Sequence, residues 1–149
     1  MHIASAPISG ESFVIASNTE RLLGFFASWN TDFFSFCRSF EEIFAPDTVW
    51  ENSGLPTVTG YEQALEQILK PSNAQPLGMD AIGVDMLNIA ESRDGKVFHE
   101  RVDHLLRADK SLIISIQIAG ITEFSADGKI KAWRDYTDPT PLLALMAAG

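Results

Sequence analysis

Residues 96–138 read KVFHERVDHLLRADKSLIISIQIAGITEFSADGKIKAWRDYTD, and this stretch decides the fold. Runs rich in Val, Ile, Thr, Phe and Trp are interrupted by Ala108-Asp109-Lys110 and Ala126-Asp127-Gly128, short polar triplets of the kind that turn a chain back on itself. The pattern predicts strands over 96–107, 111–124 and 129–138. Just upstream, Arg93-Asp94-Gly95 separates a further strand, 79–91, from the first of these. Four strands joined by short turns make an antiparallel meander.

The chain before residue 79 has a helical period instead. Ser17-Asn18-Thr19-Glu20 has the form of a capping box, and Leu22, Phe25, Phe26 and Trp29 follow at helical spacing. Asp32 caps a second helix reaching about Phe44, with Phe33, Phe36, Phe40 and Phe44 as a core stripe. Thr48–Asn52 is short and β-rich. Gly60 precedes a third helix, Tyr61 to Leu69, stopped by Pro71. Beyond the meander, Pro139 and Pro141 close the sheet and 141–146 form a last helix. The expected fold class is α+β: helices packed on a strongly curved, mostly antiparallel sheet that forms a cone with an internal pocket. Residues 1–16 are read as an N-terminal arm and 17–149 as a single domain, a size that suits one core.

Composition narrows the function. A net charge of -9 repels a phosphate backbone, which argues against nucleic acid as a partner. No segment approaches the ~20 apolar residues of a membrane-spanning helix, and the first 17 residues lack the basic and apolar regions of a signal peptide. A soluble, cytoplasmic protein is expected. The single cysteine, Cys37, sits in the run Phe33-Phe34-Ser35-Phe36-Cys37 and is read as core packing. Three scattered histidines without ligand spacing give no metal signal. His2 lies in the arm, His104 is expected on the outer sheet face, and His99 is expected to face away from Arg101 in a structural or surface role.

The polar residues of the meander carry the chemistry. On strand 96–107, Arg101, Asp103 and Leu105 share one face, with Arg101 and Asp103 ~6.6 Å apart along the strand. On strand 129–138, Trp133, Asp135 and Thr137 share one face. If Asp127-Gly128 is a two-residue turn, Ala126 pairs with Lys129 and Asp135 falls opposite Gly120. The pocket side of the middle strand is then Ile114, Ile116, Ile118 and Gly120. Asp103 joins that face if it meets an even position, which the 108–110 loop permits. Asp103 and Asp135 would be ~9.6 Å apart at the backbone, a gap that one arginine fork between two carboxylates closes. An exposed ion-pair cluster fits the same alternation; the isoleucine stripe favours a desolvated site.

Glu100-Arg101-Val102-Asp103, the Ile116–Ile118 stretch, and Gly128-Lys129-Ile130 through Trp133-Arg134-Asp135-Tyr136 resemble the limonene-1,2-epoxide hydrolase family, of the nuclear transport factor 2-like, cystatin-like superfamily. The likeness spans about 18–140 and is strongest over 98–138. It implies hydrolysis of a small lipophilic epoxide to a vicinal diol by direct water attack, with no cofactor, metal or covalent intermediate. It also implies Asp135 as the base on water, Asp103 as the acid toward the epoxide oxygen, Arg101 as the bridge and Asn52 as the water-holding asparagine. Trp50 stands where the family has a tyrosine; an indole N–H donates a hydrogen bond but accepts none. Leu105, Ile114, Ile116, Ile118 and Trp133 are the expected pocket walls. A homodimer through the outer sheet face is a further expectation. The alternatives are an isomerase or cyclase of the same fold, ketosteroid-isomerase-like or polyketide-cyclase-like, and a non-catalytic protein that binds a hydrophobic ligand.

Overall fold

The computed structural model describes residues 16–148. Apart from residue 16, the expected arm, with His2, lies outside the described residues. Helix α1 (Asn18–Ala27) starts at the capping box: Glu20 N–H donates to Ser17 Oγ at 3.1 Å and Ser17 N–H to Glu20 Oε1 at 2.9 Å. Asp32 caps α2 (Phe33–Ile43), accepting from Ser35 N–H at 2.7 Å. Then come β1 (Phe44–Asn52), β2 (Val58–Thr59), α3 (Gly60–Gln67) and α4 (Pro71–Ala74), with a 3-10 turn at Gln75–Leu77. Helix α3 ends at Gln67, short of the expected Leu69, so Pro71 does not stop it; the proline stands in the first turn of α4, where its fixed φ fits. The chain continues through β3 (Ala81–Glu91), β4 (Val97–Leu106), β5 (Leu112–Phe124) and β6 (Ile130–Tyr136) to α5 (Thr140–Ala148).

The sheet order is β2-β1-β6-β5-β4-β3. β3 to β6 form the expected antiparallel meander. The sheet is larger than the meander, because β1 runs parallel to β6 and β2 pairs antiparallel with β1. Helix α1 packs against β3 and β4, α2 against β3 and α3, and α3 against β1. The three triplets 93–95, 108–110 and 126–128 form the same turn. Each closes a pair one residue outside it, with Ser92, Arg107 and Ser125 donating to the carbonyls of Lys96, Ser111 and Lys129 at 2.8–2.9 Å. Each ends in a left-handed residue, Gly95, Lys110 or Gly128.

One register step differs from the sequence expectation. The last loop has three residues, so Ser125 rather than Ala126 faces Lys129. A bulge at Lys131, between the pairs Phe124–Ile130 and Glu123–Ala132, then shifts the ladder by one. The two departures cancel, and Gly120 does face Asp135. On the other side Asp103 faces Ile116, an even position.

The concave face is legible along β4: Val97, His99, Arg101, Asp103 and Leu105 are all buried, and every residue between them is at least partly open. Aromatic rings fill the space above. Trp29 stacks on Phe40 at 5.7 Å, and Trp50 stacks on Trp133 at 4.8 Å with planes 13° apart. Cys37 belongs to this core; burial pushes its thiol up to about 11, so it stays protonated at neutral pH.

Candidate active site

Arg101, Asp103 and Asp135 meet on the floor of the concave face. Alternation along β4 points Arg101 and Asp103 inward together, and the Gly120–Asp135 pair brings Asp135 in from two strands away. Their relative exposures are 1%, 5% and 3%, so this is a desolvated cluster and not a surface ion pair. Arg101 Nε donates to Asp103 Oδ1 at 2.8 Å and Nη2 to Asp103 Oδ2 at 3.2 Å. On the other side Nη2 donates to Asp135 Oδ2 at 2.7 Å and Nη1 to Asp135 Oδ1 at 3.0 Å. One guanidinium thus grips both carboxylates in bidentate fashion. Its carbon also lies 4.5 Å from the centroid of the Phe26 ring.

The electrostatics separate the groups. Burial opposes the charge of Arg101, but the carboxylates of Asp135 and Asp103 outweigh it and hold its pKa above the ordinary value. For Asp103 burial is the largest influence and raises its pKa despite Arg101.

Asp135 has a third donor that alternation alone would have revealed. Trp133, two residues earlier on the same face, donates its indole N–H to Asp135 Oδ1 at 2.8 Å. Oδ1 is therefore engaged twice and Oδ2 once, which leaves the free lone pair of the carboxylate on Oδ2. The parallel pairing of β1 with β6 sets Asn52 beside Asp135 and Trp50 beside Trp133. Nδ2 of Asn52 and Nε1 of Trp50 are buried and meet no acceptor among the described residues.

The cavity over this floor measures ≈ 170 Å³. A void of about 150 Å³ holds one benzene ring, so the scale is that of a single small ring system. Leu105, Ile116, Ile118 and Trp133 line it, as do Trp50, Asn52 and all three charged residues. Ile114 does not. It pairs with Leu105 next to the irregularity at Ile113 and lies in a shallow groove with Val102, Ser115 and Pro141. The sequence expectation for Ile114 is corrected on that ground. Alternation gave no hint of the opposite wall, where Leu142, Leu143 and Met146 of α5 close over the cavity.

His99 also needs correction. Residues 99, 101 and 103 share parity, so it faces the same way as Arg101 and is buried. Its Nδ1 lies 3.3 Å from Arg101 Nη1 and its Nε2 3.2 Å from Thr122 Oγ1. Gly120 makes this possible: a Cβ there would collide with the His99 ring and sit 2.6 Å from Asp135 Oδ1. His104 is on the outer face as expected, 2.7 Å from Ser115 Oγ and 2.8 Å from Asp85 Oδ2. That Ser–His–Asp arrangement lies open to solvent on the outer face, away from the buried cluster.

Residues 22–147 match the family model of the limonene-1,2-epoxide hydrolase catalytic domain. No curated protein matches the chain by sequence. Among solved structures, a limonene-epoxide-hydrolase-like epoxide hydrolase from M. tuberculosis superposes with a TM-score of 0.62 at 20% identity, covering 87% of this chain and 84% of the other. A candidate SnoaL-like polyketide cyclase from Jannaschia sp. CCS1 gives 0.60 at 19%, covering 89% and 92%. Bal32a, from a soil-derived mobile gene cassette, gives 0.61 at 17%, covering 85% and 92%. At these identities the structural likeness speaks for the fold, which is of the nuclear transport factor 2-like kind.

Proposed function

The chain belongs to the limonene-1,2-epoxide hydrolase catalytic-domain family, and from that premise we propose that it hydrolyses a small lipophilic epoxide to a vicinal diol by direct attack of water. The observation that carries this reading is the single arginine gripping two buried carboxyls at the floor of an apolar cavity. Asp135 is the base: its Oδ2, with Asn52 beside it on the neighbouring strand, holds the water and takes its proton. The water oxygen bonds to an epoxide carbon while the carbon–oxygen bond of the ring breaks. Asp103 delivers its proton to the departing oxygen. One proton then returns from Asp135 to Asp103 before the next turnover. With a single proton shared between the two carboxyls, the cluster is neutral, which is the charge state a dry site tolerates.

Direct attack is favoured over an ester on Asp135. An ester needs a second base to hydrolyse it. His99 shares the face, but it lies beneath Arg101 and outside the cavity lining, with both nitrogens beside protein partners. Single turnover in ¹⁸O-water with enzyme in excess tests the step: labelled diol is expected, and unlabelled diol with label later in Asp135 would establish the ester. An epoxide panel with diol detection tests the activity. Asp135→Asn should nearly abolish turnover without unfolding the protein, and Trp50→Tyr should keep or raise it.

A second reading has one observation in its favour, the indole of Trp50 in place of the family phenol. An isomerase or cyclase would use Asp135 or Asp103 to remove a carbon-bound proton, and a pure binding protein would use neither. Isomerisation of an enone without diol from any epoxide would favour the isomerase.

We further propose a homodimer in a cytoplasmic setting. Phe98 and Tyr136 are about half exposed on the outer sheet face, close to Ala119 and Ile121, and a second copy would cover them. Light scattering at micromolar concentration should give twice the chain mass; a monomer would refute the dimer.

A further inference from the structure

Arg101 carries five N–H hydrogens and no acceptor. Four of them go to the aspartates: Nε–H and one of Nη2 to Asp103, one of Nη2 and one of Nη1 to Asp135. The fifth, on Nη1, points at Nδ1 of His99, 3.3 Å away. Because a guanidinium only donates, Nδ1 must present a lone pair. The ring hydrogen is then on Nε2, where Thr122 Oγ1 receives it at 3.2 Å.

We infer that His99 is a positioning residue for the bridging arginine: its bare Nδ1 takes the last guanidinium N–H and fixes the plane in which both carboxyls are held. This rests on the reading of Asp103, Arg101 and Asp135 as the reactive centre. The surroundings are built for a neutral imidazole. Arg101 from its own strand and Asp135 from β6 are the charged groups that face it. Strand β5 offers Thr122 and Gly120, α1 offers the edge of Phe26 at 5.5 Å, and Ile89 is its partner on β3, four residues without an ionisable side chain. Burial, and then the charge of Arg101, lower the His99 pKa to about 4. Below that pH, a protonated Nδ1 would aim an N–H at another N–H and release the plane.

A histidine that only fills space would tolerate an apolar replacement without loss of rate. A positioning histidine would not, since an error of 1 Å in a reacting group costs on the order of 10²-fold. Three variants separate the two. The amide oxygen of His99→Asn reaches the place of Nδ1, that of His99→Gln the place of Nε2, and His99→Leu supplies neither. On any epoxide the parent turns over, kcat should fall about 10²-fold in the Leu and Gln variants with KM little changed, while the Asn variant stays close to the parent. Equal rates in all three, or an Asn variant no better than Leu, would overturn the inference. ¹⁵N NMR of the imidazole in the unmodified protein is independent of turnover and of variant folding. Nδ1 should carry no hydrogen at pH 7, and the ring should not titrate between pH 8 and pH 5. A hydrogen on Nδ1, or titration near the ordinary value of about 6.5, would overturn it. If no epoxide is turned over, the proposed hydrolysis fails, and the NMR result still decides whether His99 holds Arg101.

Discussion

Gly120 is the residue on which the site's crowding depends. The His99 ring and the Asp135 carboxylate both use the space where a side chain would stand. Gly120→Ala must push one of them aside, and both lie against Arg101. The expected result is a loss of about 1–3 kcal/mol in stability, typical of overpacking, with a fall in kcat of about 10²-fold. Urea melts and steady-state kinetics measure the two. A stable variant with full activity would show that the floor of the pocket is more plastic than its packing implies.

At the scale of elements, the pairing of β1 with β6 places Asn52 and Trp50. The register shifts between Phe44 and Val49, and Thr48 fills the irregularity with no exposed surface. Its hydroxyl donates to the carbonyl of Ile130 and accepts from Ala45 N–H, tying the two strands together where the ladder is interrupted. Thr48→Val keeps the shape and takes this partner from the half-buried Ala45 N–H and the buried Ile130 carbonyl. A loss of about 1–3 kcal/mol is expected, with kcat falling as Asn52 moves relative to Asp135. Unchanged stability in a denaturant melt would mean that the parallel pairing does not depend on this residue.

For the whole molecule, the cluster couples folding to pH with two opposite signs. The pKa of His99 is lowered from 6.5 to about 4, so the unfolded chain binds its proton first. Its stabilising contribution is complete above pH 6.5 and is lost as pH falls toward 4, by roughly 3 kcal/mol over that interval. Asp103 has the opposite shift, upward from 3.8 by burial. Its contribution is present below 3.8 and is lost as pH rises through its folded pKa. Urea melts across the acid range should show the His99 slope, and His99→Asn should flatten it between pH 6.5 and 4. An identical slope in the variant would assign the acid sensitivity to other groups.

Much of this was legible in the chain itself. Capping residues and aromatic spacing placed α1 and α2, the polar triplets placed three turns, and alternation put Arg101 and Asp103 on one face, because these signals are local and repeat at fixed periods. The inward direction of His99 and the Trp133–Asp135 bond lay within reach of the same parity rule. The rest belonged to the tertiary structure. The parallel seam of β1 on β6, the bulge at Lys131 that restores the ladder, and the wall that α5 adds over the cavity all join segments far apart in sequence. No local period records such pairings, because the energy that selects them comes from burying surfaces that meet only once the chain has folded.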